Sequence, residues 1–183
     1  MNKKLVSIIV NCFNGEKYLK ENLESIQRQE YSNWELIFWD NQSSDDSKKI
    51  FDSFNDNRFK YFYSDKHTTL YEARNLACKK TKGEFIAFLD QDDYWLKNKL
   101  SNQIKKFKDK NVGLVYGKFI FRNDNNLFKK KLKLFRKTNL PTGKITKDLL
   151  KDYCVYLVTI MVRKKFIDNK KRVFNFKYNY VCD

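Results

Sequence analysis

The chain has 183 residues, of which 42% are hydrophobic and 16% aromatic, and its formal net charge is +16. This length and composition suit one folded domain and exclude a disordered chain. The charge is compatible with an anionic partner, which leaves nucleic acid, a phosphorylated substrate or an anionic membrane surface as options. His67 is the only histidine, which nearly excludes Ser-His-Asp triads and multi-histidine zinc sites. The chemistry must therefore use carboxylates, a metal ion or both, and we expect His67 itself to be a solvated loop residue.

The cysteines and the apolar segments bear on location. The four cysteines show no C-x-x-C spacing, and the sequence contains no signal peptide and no long apolar stretch. We therefore expect a reduced, cytoplasmic protein. Because the chain is basic, peripheral contact with the inner face of the cytoplasmic membrane is kept as an option.

The first part of the chain predicts alternating strands and helices. Apolar runs rich in β-branched and aromatic residues predict strands at 5–10, 34–39, 59–63 and 85–89. Apolar residues at helical spacing predict helices at 16–29, 70–80 and 96–107, and the polar turn at 40–46 precedes a helix that runs to about 54. The alternation predicts an α/β fold with a mostly parallel central sheet.

Beyond residue 107 the pattern is weaker. The sequence predicts strands at 112–121 and within 152–163, and a turn at 141–143 around the only proline. The basic run at 129–137 is interpreted as a solvated edge strand, with a mobile loop or contact with anionic lipid as alternatives. No linker divides the chain, so a second domain is not expected.

Three carboxylates, Asp90, Asp92 and Asp93, directly follow the buried strand at 85–89. In extended backbone, Asp90 and Asp92 would lie on the same side, which suits Mg²⁺ or Mn²⁺ held by one or two carboxylates. Capping of the next helix explains one acid but not three, and we assign that role to Asp93 because the helix is expected to begin near Leu96.

Polar residues follow three of the predicted strands, at 11–14, 40–45 and 90–93. The carboxyl ends of parallel strands share one edge of the sheet, where ligands of open α/β folds bind. The sequence contains neither G-x-G-x-x-G nor G-x-x-x-x-G-K-[ST], so a dinucleotide-binding fold and a P-loop enzyme are not favoured. Acids reading a base and ribose, with a metal on the phosphates, remain compatible with nucleotide binding.

These motifs occur in a recognisable order: VSIIVNCFNGEKYLKENLESI, ELIFWDNQSSDDS and YEARNLACKKTKGEFIAFLDQDDYWLKNKL. The series resembles the catalytic domain of bacterial family 2 glycosyltransferases, from about Leu5 to Leu100 and more loosely beyond. The resemblance implies the GT-A fold, in which a Rossmann-like, mostly parallel sheet is flanked by helices and joined to a smaller acceptor-side region. It implies a nucleotide-sugar-binding half at 1–100 and an acceptor-side half at 101–183.

The same resemblance implies an activity. A sugar would pass with inversion from a nucleotide-sugar, often a UDP-sugar, to a hydroxyl of a glycan or glycolipid, in surface polysaccharide or lipooligosaccharide synthesis. Mn²⁺ or Mg²⁺ would serve as cofactor, and the acceptor would be a glycan or a lipid-linked glycan.

Site residues carry over position by position. Phe13 matches the aromatic residue beside the base, in a motif whose Asn11 is also assigned to donor binding, and Asp40 matches the acid that reads the base. Arg74 matches the basic residue near the nucleotide. Asp90, Gln91 and Asp92 form the D-x-D motif, with Asp90 and Gln91 on the donor side, Asp90 shared between ribose and metal, and Asp92 on the metal. Asp183 matches the late acid that serves as catalytic base.

The chain also departs from the family pattern. Asn11 stands where proline is usual and Asn41 where a second aspartate is usual, but neither position holds the metal. The pair Cys182-Asp183 replaces Glu-Asp or Gly-Asp, and the sequence ends before the usual acceptor-side helix and loop. The alternative function is therefore a truncated, catalytically impaired nucleotide-sugar-binding domain.

Two other classes are less favoured. A nucleic-acid binder would suit the charge, but no RNP-like or helix-turn-helix signature occurs, so we expect no nucleic acid partner. A nucleotidyltransferase would need a glycine-rich phosphate loop near the first strand, which the sequence lacks. Arg74 and Asp40 also have purely structural interpretations, as a helix-surface ion pair and as a turn acid.

Overall fold

A computed structural model describes residues 4–123, 131–134, 139–167 and 173–175. Its main feature is a six-stranded sheet. The parallel strands of this sheet are β1 (Val6–Cys12), β2 (Trp34–Asp40), β3 (Phe59–Tyr63) and β4 (Phe85–Phe88). The antiparallel strands at the other side are β8 (Met161–Arg163) and β5 (Leu114–Val115), and the strand order across the sheet is β3-β2-β1-β4-β8-β5. A separate antiparallel pair consists of β6 (Ile120–Asn123) and β7 (Lys131–Leu134).

Helices cover both faces of the sheet. They are α1 (Glu16–Gln27), α2 (Ser47–Asp52), α3 (Leu70–Lys80), α4 (Lys99–Lys106) and α5 (Thr146–Lys151). One core lies between the sheet and α1, α2 and α4, as the buried Leu23, Phe51 and Leu100 show. The other lies under α3, where Ala73 and Ala77 pack against the opposite face. The mixed α/β architecture with a mostly parallel sheet is therefore confirmed.

The connections create a switch point between β1 and β4. Helices α1 and α2 lead away from β1 on one face, whereas α3 returns on the other face to place β4 on the free side of β1. In open α/β sheets the crevice outside the carboxyl ends of such strands is where ligands bind. Within the described residues, no helix is both long and apolar enough to span a bilayer.

The prediction of one continuous strand at 112–121 is wrong. The chain leaves the main sheet after Val115 and enters the separate pair at Ile120. Between them, the Tyr116 hydroxyl donates to the Pro141 carbonyl over 2.7 Å, which joins this segment to Pro141 outside the sheet. The basic run contributes β7 at 131–134, and its remaining residues lie outside the described ranges.

The strand expected within 152–163 shrinks to Met161–Arg163. Residues Leu157–Thr159 instead form a 3-10 turn, closed by hydrogen bonds such as that from the Ile160 amide to the Leu157 carbonyl. Leu157 and Ile160 are buried in the core under α3 although they are not in a strand. A short apolar run indicates burial, and periodicity alone does not separate a strand from a buried turn.

Helix α4 begins later than expected. Its first residue is Lys99 and its N-cap residue is Asn98, so the assignment of Asp93 as the cap is wrong. The Asp93 amide donates to the Asp90 carbonyl over 3.0 Å, which closes a turn four residues long directly after β4. Asp93 therefore belongs to the aspartate turn, the name used below for residues 90–93.

Candidate functional site

The polar segments after β1, β2 and β4 meet at the carboxyl edge of the sheet. Parallel pairing places Cys12 beside Asp40 at the ends of β1 and β2, and the Asn41 amide donates to the Cys12 carbonyl over 2.8 Å. The Leu89 amide donates to the Ile9 carbonyl, so the end of β4 is fixed beside β1. The convergence that the sequence predicted is thus present at the switch point.

Gln91 joins the aspartate turn to the first loop. Its side-chain amide makes two hydrogen bonds to the backbone of Phe13: it accepts from the Phe13 amide over 2.8 Å and donates to the Phe13 carbonyl over 3.1 Å. Both polar atoms of the Gln91 amide therefore have protein partners. The residue that the sequence assigns to donor binding acts here as a clamp across the switch point, and it fixes the backbone from which the Phe13 ring projects.

The Phe13 ring is 46% exposed and lies against His67. The two ring centroids are 4.4 Å apart, with an interplanar angle of 60°. Nδ1 of His67 donates to the Asn41 carbonyl over 2.9 Å, so the imidazole is anchored to the loop after β2. His67 is exposed, as expected, but it belongs to the site, and no motif in the sequence indicated that.

Asp40 is buried at the end of β2 with two hydrogen-bond donors. Its Oδ1 accepts from the Ser43 amide over 2.7 Å and its Oδ2 accepts from the Tyr61 hydroxyl over 2.6 Å. Burial, followed by this hydrogen bond, raises the pKa of Tyr61 far above its usual value, so the hydroxyl keeps its proton and remains a donor. The partner Tyr61, from the neighbouring strand, was not predicted.

Arg74 and Asp90 form an ion pair in the centre of the site. Nη2 of Arg74 lies 2.7 Å from Oδ1 of Asp90, and the side chains are 2% and 33% exposed. Arg74 projects from α3, so the pair joins the helix on one face of the sheet to the aspartate turn. Its burial excludes the helix-surface interpretation. An isolated buried guanidinium would be strongly disfavoured, which makes Asp90 important for holding Arg74 in place.

The backbone of the aspartate turn is held from the opposite face of the sheet. Asn22 of α1, which is 1% exposed, donates through Nδ2 to the Asp90 carbonyl over 2.7 Å and to the Asp93 carbonyl over 2.8 Å. The extended backbone expected for Asp90 and Asp92 is wrong, because the chain turns here. The turn leaves Asp92 exposed at the edge of the sheet.

The carboxylates at this edge fit a lightly held cation. Across the described ranges, no three His, Cys, Asp or Glu side chains gather into a metal cage made by protein alone. Mg²⁺ and Mn²⁺ do not need one, since they commonly take one or two carboxylates and complete their shells with water and substrate phosphates. Asp92 is exposed and Asp90 is partly exposed, so both are accessible for that purpose.

Asn11 lies one residue before the end of β1, beside Trp39 of β2 in the parallel register. Both side chains are buried, and Nδ2 of Asn11 and Nε1 of Trp39 make no hydrogen bond within the described part of the chain. Buried donors of this kind usually have an acceptor. Because of this position near the end of β1, the amide of Asn11 lies at the carboxyl edge of the sheet, where the ion pair of Arg74 and Asp90 also lies.

The first and second loops are bonded to each other. The Asn14 amide donates to Ser43 Oγ, and the Ser44 amide donates back to Asn14 Oδ1. The Glu16 amide donates to the Asp45 carboxylate. Burial alone would raise the pKa of Asp45, but hydrogen bonds from Ser47 and from the Glu16 amide outweigh it, so this pKa lies below its usual value. These reciprocal bonds fix the two loops to each other.

Five predicted site residues are placed together by these contacts, at the edge that also holds Asn11: Phe13, Asp40, Arg74, Asp90 and Gln91. The sixth, Asp92, lies exposed in the aspartate turn with Asp90 and Gln91. The expected catalytic base, Asp183, lies outside the described residues. The contacts add Asn22, His67 and Tyr61, which the motifs did not indicate. Of these, Asn22 had a readable signal, because it is a polar residue on the apolar stripe of α1 formed by Leu19, Leu23 and Ile26.

Comparison with known proteins identifies the class. The model of the family described as "Glycosyl transferase family 2" matches residues 7–170. The chain therefore belongs to glycosyltransferase family 2, as the sequence predicted.

Individual relatives agree with this assignment. The chain is 38% identical over 127 residues to the Escherichia coli UDP-Glc:alpha-D-GlcNAc-diphosphoundecaprenol beta-1,3-glucosyltransferase WfgD, covering 69% of this chain and 50% of WfgD. The chain thus spans about half the length of the curated relatives that it matches first.

Solved structures show the fold. TarS 1-349 of S. aureus in complex with UDP-GlcNAc superposes with a TM-score of 0.69 at 21% identity, covering 89% of this chain and 46% of that one. The mannosyltransferase PcManGT of Pyrobaculum calidifontis, in complex with GDP-Man and Mn2+, gives a TM-score of 0.66 at 16% identity, covering 92% and 47%. The expected GT-A fold is confirmed.

Proposed function

We propose that this chain binds a nucleotide-sugar, most simply a UDP-sugar, and transfers its sugar with inversion to a hydroxyl of a glycan or lipid-linked glycan in bacterial surface polysaccharide synthesis. The observation that carries the proposal is the aspartate turn at the switch point, bonded to Arg74 on one side and through Gln91 to Phe13 on the other. Family membership, the UDP-Glc in the name of WfgD and the UDP-GlcNAc bound in the TarS complex support it.

The donor would lie across the edge that these residues form. The exposed ring of Phe13 offers a flat surface for the base, and π surfaces bind bases by stacking. Asp40 and Asn11 would face the base and ribose from the ends of β2 and β1. Arg74 and Asp90, held together, would contact the ribose or diphosphate, with Gln91 keeping the turn and the ring at a fixed separation.

Asp92, together with Asp90, would hold Mn²⁺ or Mg²⁺ against the donor diphosphate. The bound cation would stabilise the negative charge that grows on the diphosphate as it leaves. A cation is consistent with the Mn2+ complex of PcManGT. The chain carries a net charge of +16, yet Asp92 takes part in no salt bridge within the described residues. Its carboxylate would therefore be available to a cation.

Asp183 would act as the base. In the proposed step the acceptor oxygen bonds to the anomeric carbon, the bond from that carbon to the diphosphate oxygen breaks, and the proton of the hydroxyl passes to the Asp183 carboxylate. One displacement from the face opposite the leaving group inverts the anomeric centre. The location that we propose is cytoplasmic, with peripheral contact between this basic chain and an anionic membrane that carries the lipid-linked acceptor.

Two substitutions separate donor binding from transfer. We expect Asp92→Asn to abolish Mn²⁺-dependent binding of UDP in calorimetry, because the amide loses the charge that holds the cation. We expect Asp183→Asn to keep UDP binding and to lose transfer from UDP-sugars to lipid-linked glycans. Asp148→Asn, an exposed change on α5, is the matched control and should alter neither.

Unchanged UDP affinity in Asp92→Asn would remove Asp92 from the site. Normal turnover in Asp183→Asn would remove that residue from the mechanism. A wild-type chain that binds UDP-sugars with Mn²⁺ but transfers no sugar from any donor would instead favour a nucleotide-sugar-binding domain.

A further inference from the structure

A short segment near the end of the described chain is bonded to α3. The side chain of Asn75 makes three hydrogen bonds to the backbone of Val173 and Phe174, in the described segment 173–175. Its Oδ1 accepts from the Val173 amide over 2.9 Å and from the Phe174 amide over 3.0 Å, and its Nδ2 donates to the Phe174 carbonyl over 2.8 Å. One side chain thus makes the backbone hydrogen bonds that a neighbouring strand would otherwise make. The segment and the helix that holds it are about a hundred residues apart in sequence.

This attachment brings Phe174 to the centre of the site. Its ring meets the ring of Phe88, the last residue of β4, edge to face with centroids 5.4 Å apart. The Arg74 guanidinium lies 5.7 Å from the centroid of the same ring. Arg74 therefore has Asp90 as its ion-pair partner and Phe174 as an aromatic neighbour, and it directly precedes Asn75 in α3.

We propose that Asn75 and Phe174 are positioning residues for donor binding. Asn75 and the segment 173–175, which contains Phe174, form a latch that keeps Arg74 in its ion pair with Asp90. The ring of Phe174 attracts the guanidinium and excludes water from it, so the ion pair is held in one geometry before the donor arrives. Without the ring, the guanidinium would gain water and could turn its five N–H groups toward other acceptors.

The inference rests on the proposed function, since it concerns how the same donor site is preorganised. It goes further in one respect: it makes the acceptor-side half of the chain a determinant of donor affinity. Linkage then requires the converse, so donor binding must stabilise the latch by the same factor by which the latch strengthens donor binding.

The first test is calorimetric binding of UDP with Mn²⁺ to variants of the full chain. We expect Phe174→Ala and Asn75→Ala to weaken binding by about threefold to tenfold, which is the range of a single cation–π contact. Phe174→Tyr, which keeps the ring, should bind nearly as well as the wild type. Phe166→Ala is the matched control, because that half-exposed ring lies against Gly113 and should not change UDP affinity.

The second test uses the unmodified chain and does not depend on any variant folding. Hydrogen exchange of the Val173 and Phe174 amides, which donate to Asn75, should slow when UDP and Mn²⁺ are added. Unchanged exchange in saturating UDP, or a Phe174→Ala variant with a lower melting temperature but wild-type UDP affinity, would reduce the latch to a structural contact. If the wild type binds no UDP at all, the proposed function fails instead, so the two failures are distinguishable.

Discussion

Asn22→Ala tests how the aspartate turn is held. The side chain of Asn22 is buried in α1 and donates to two carbonyl groups, those of Asp90 and Asp93. Alanine removes both hydrogen bonds and adds no new contact, so both carbonyl oxygens lose the Asn22 amide, although the Asp90 carbonyl keeps the Asp93 amide as a donor. Helix α1 itself stays intact. The turn that carries the D-x-D residues then loses its attachment to α1 but keeps its internal bond from the Asp93 amide to the Asp90 carbonyl, the bonds between Gln91 and Phe13, and the ion pair with Arg74.

The expected cost follows from these contacts. Each hydrogen bond contributes about 1 kcal/mol net, and the loss of this donor at the partly buried Asp93 carbonyl adds to that. The better helix propensity of alanine offsets about 0.5 kcal/mol of this loss. The substitution also removes Asn22 Oδ1, which is buried without a hydrogen bond within the described residues, so no favourable bond is lost with that atom. The net destabilisation is about 2 kcal/mol, or a fall in Tm of about 4–8 °C for a chain of this size.

Urea unfolding followed by circular dichroism measures this free energy directly. We expect a lower midpoint at an unchanged m-value. Asn102→Ala on α4 is the matched control, because that asparagine is exposed, and its stability should stay within about 0.5 kcal/mol of the wild type. An Asn22→Ala midpoint as close to the wild type as that of the control would refute the role given to Asn22.

The remaining predictions concern a ring and a thiol at the same edge. His67→Ala should weaken Mn²⁺-dependent UDP binding several-fold, because the Phe13 ring loses the imidazole 4.4 Å away that orients it, whereas His67→Phe should retain most of the affinity. Calorimetry with equal affinities for wild type and His67→Ala would contradict this. Burial raises the pKa of the Cys12 thiol, so at pH 8 Cys12 should be alkylated by iodoacetamide much more slowly than the partly exposed Cys78. Peptide mass spectrometry that finds equal rates at the two cysteines would show that Cys12 is accessible.

The sequence was informative wherever a pattern is local. Apolar runs and helical spacing located the elements from β1 to α4 to within a few residues, and the parallel-strand rule brought Phe13, Asp40 and Asp90 to one edge. The ends of helices and strands were predicted less accurately, as the later start of α4 shows, because the position of a cap depends on which backbone groups find partners.

The sequence was uninformative about contacts between distant segments. Nothing local shows that Gln91 grips the Phe13 backbone, that Tyr61 donates to Asp40, or that Asn75 holds residues 173–175. These contacts depend on how helices and strands pack, and the same side chains would be unremarkable at an exposed position. In the second half, residues 112–121 and 152–163 contain apolar runs that the tertiary structure divides between strands and turns.

The central claim is that the carboxyl edge of this sheet binds a nucleotide-sugar with a divalent cation. A thermal-shift screen of the chain with UDP-sugars, GDP-sugars and unlinked sugars, each with Mn²⁺ and with EDTA, tests it most directly. We expect a saturable rise in Tm with one or more UDP-sugars in Mn²⁺, lost in EDTA and absent for unlinked sugars. An unchanged Tm with every nucleotide-sugar in Mn²⁺ would contradict the claim.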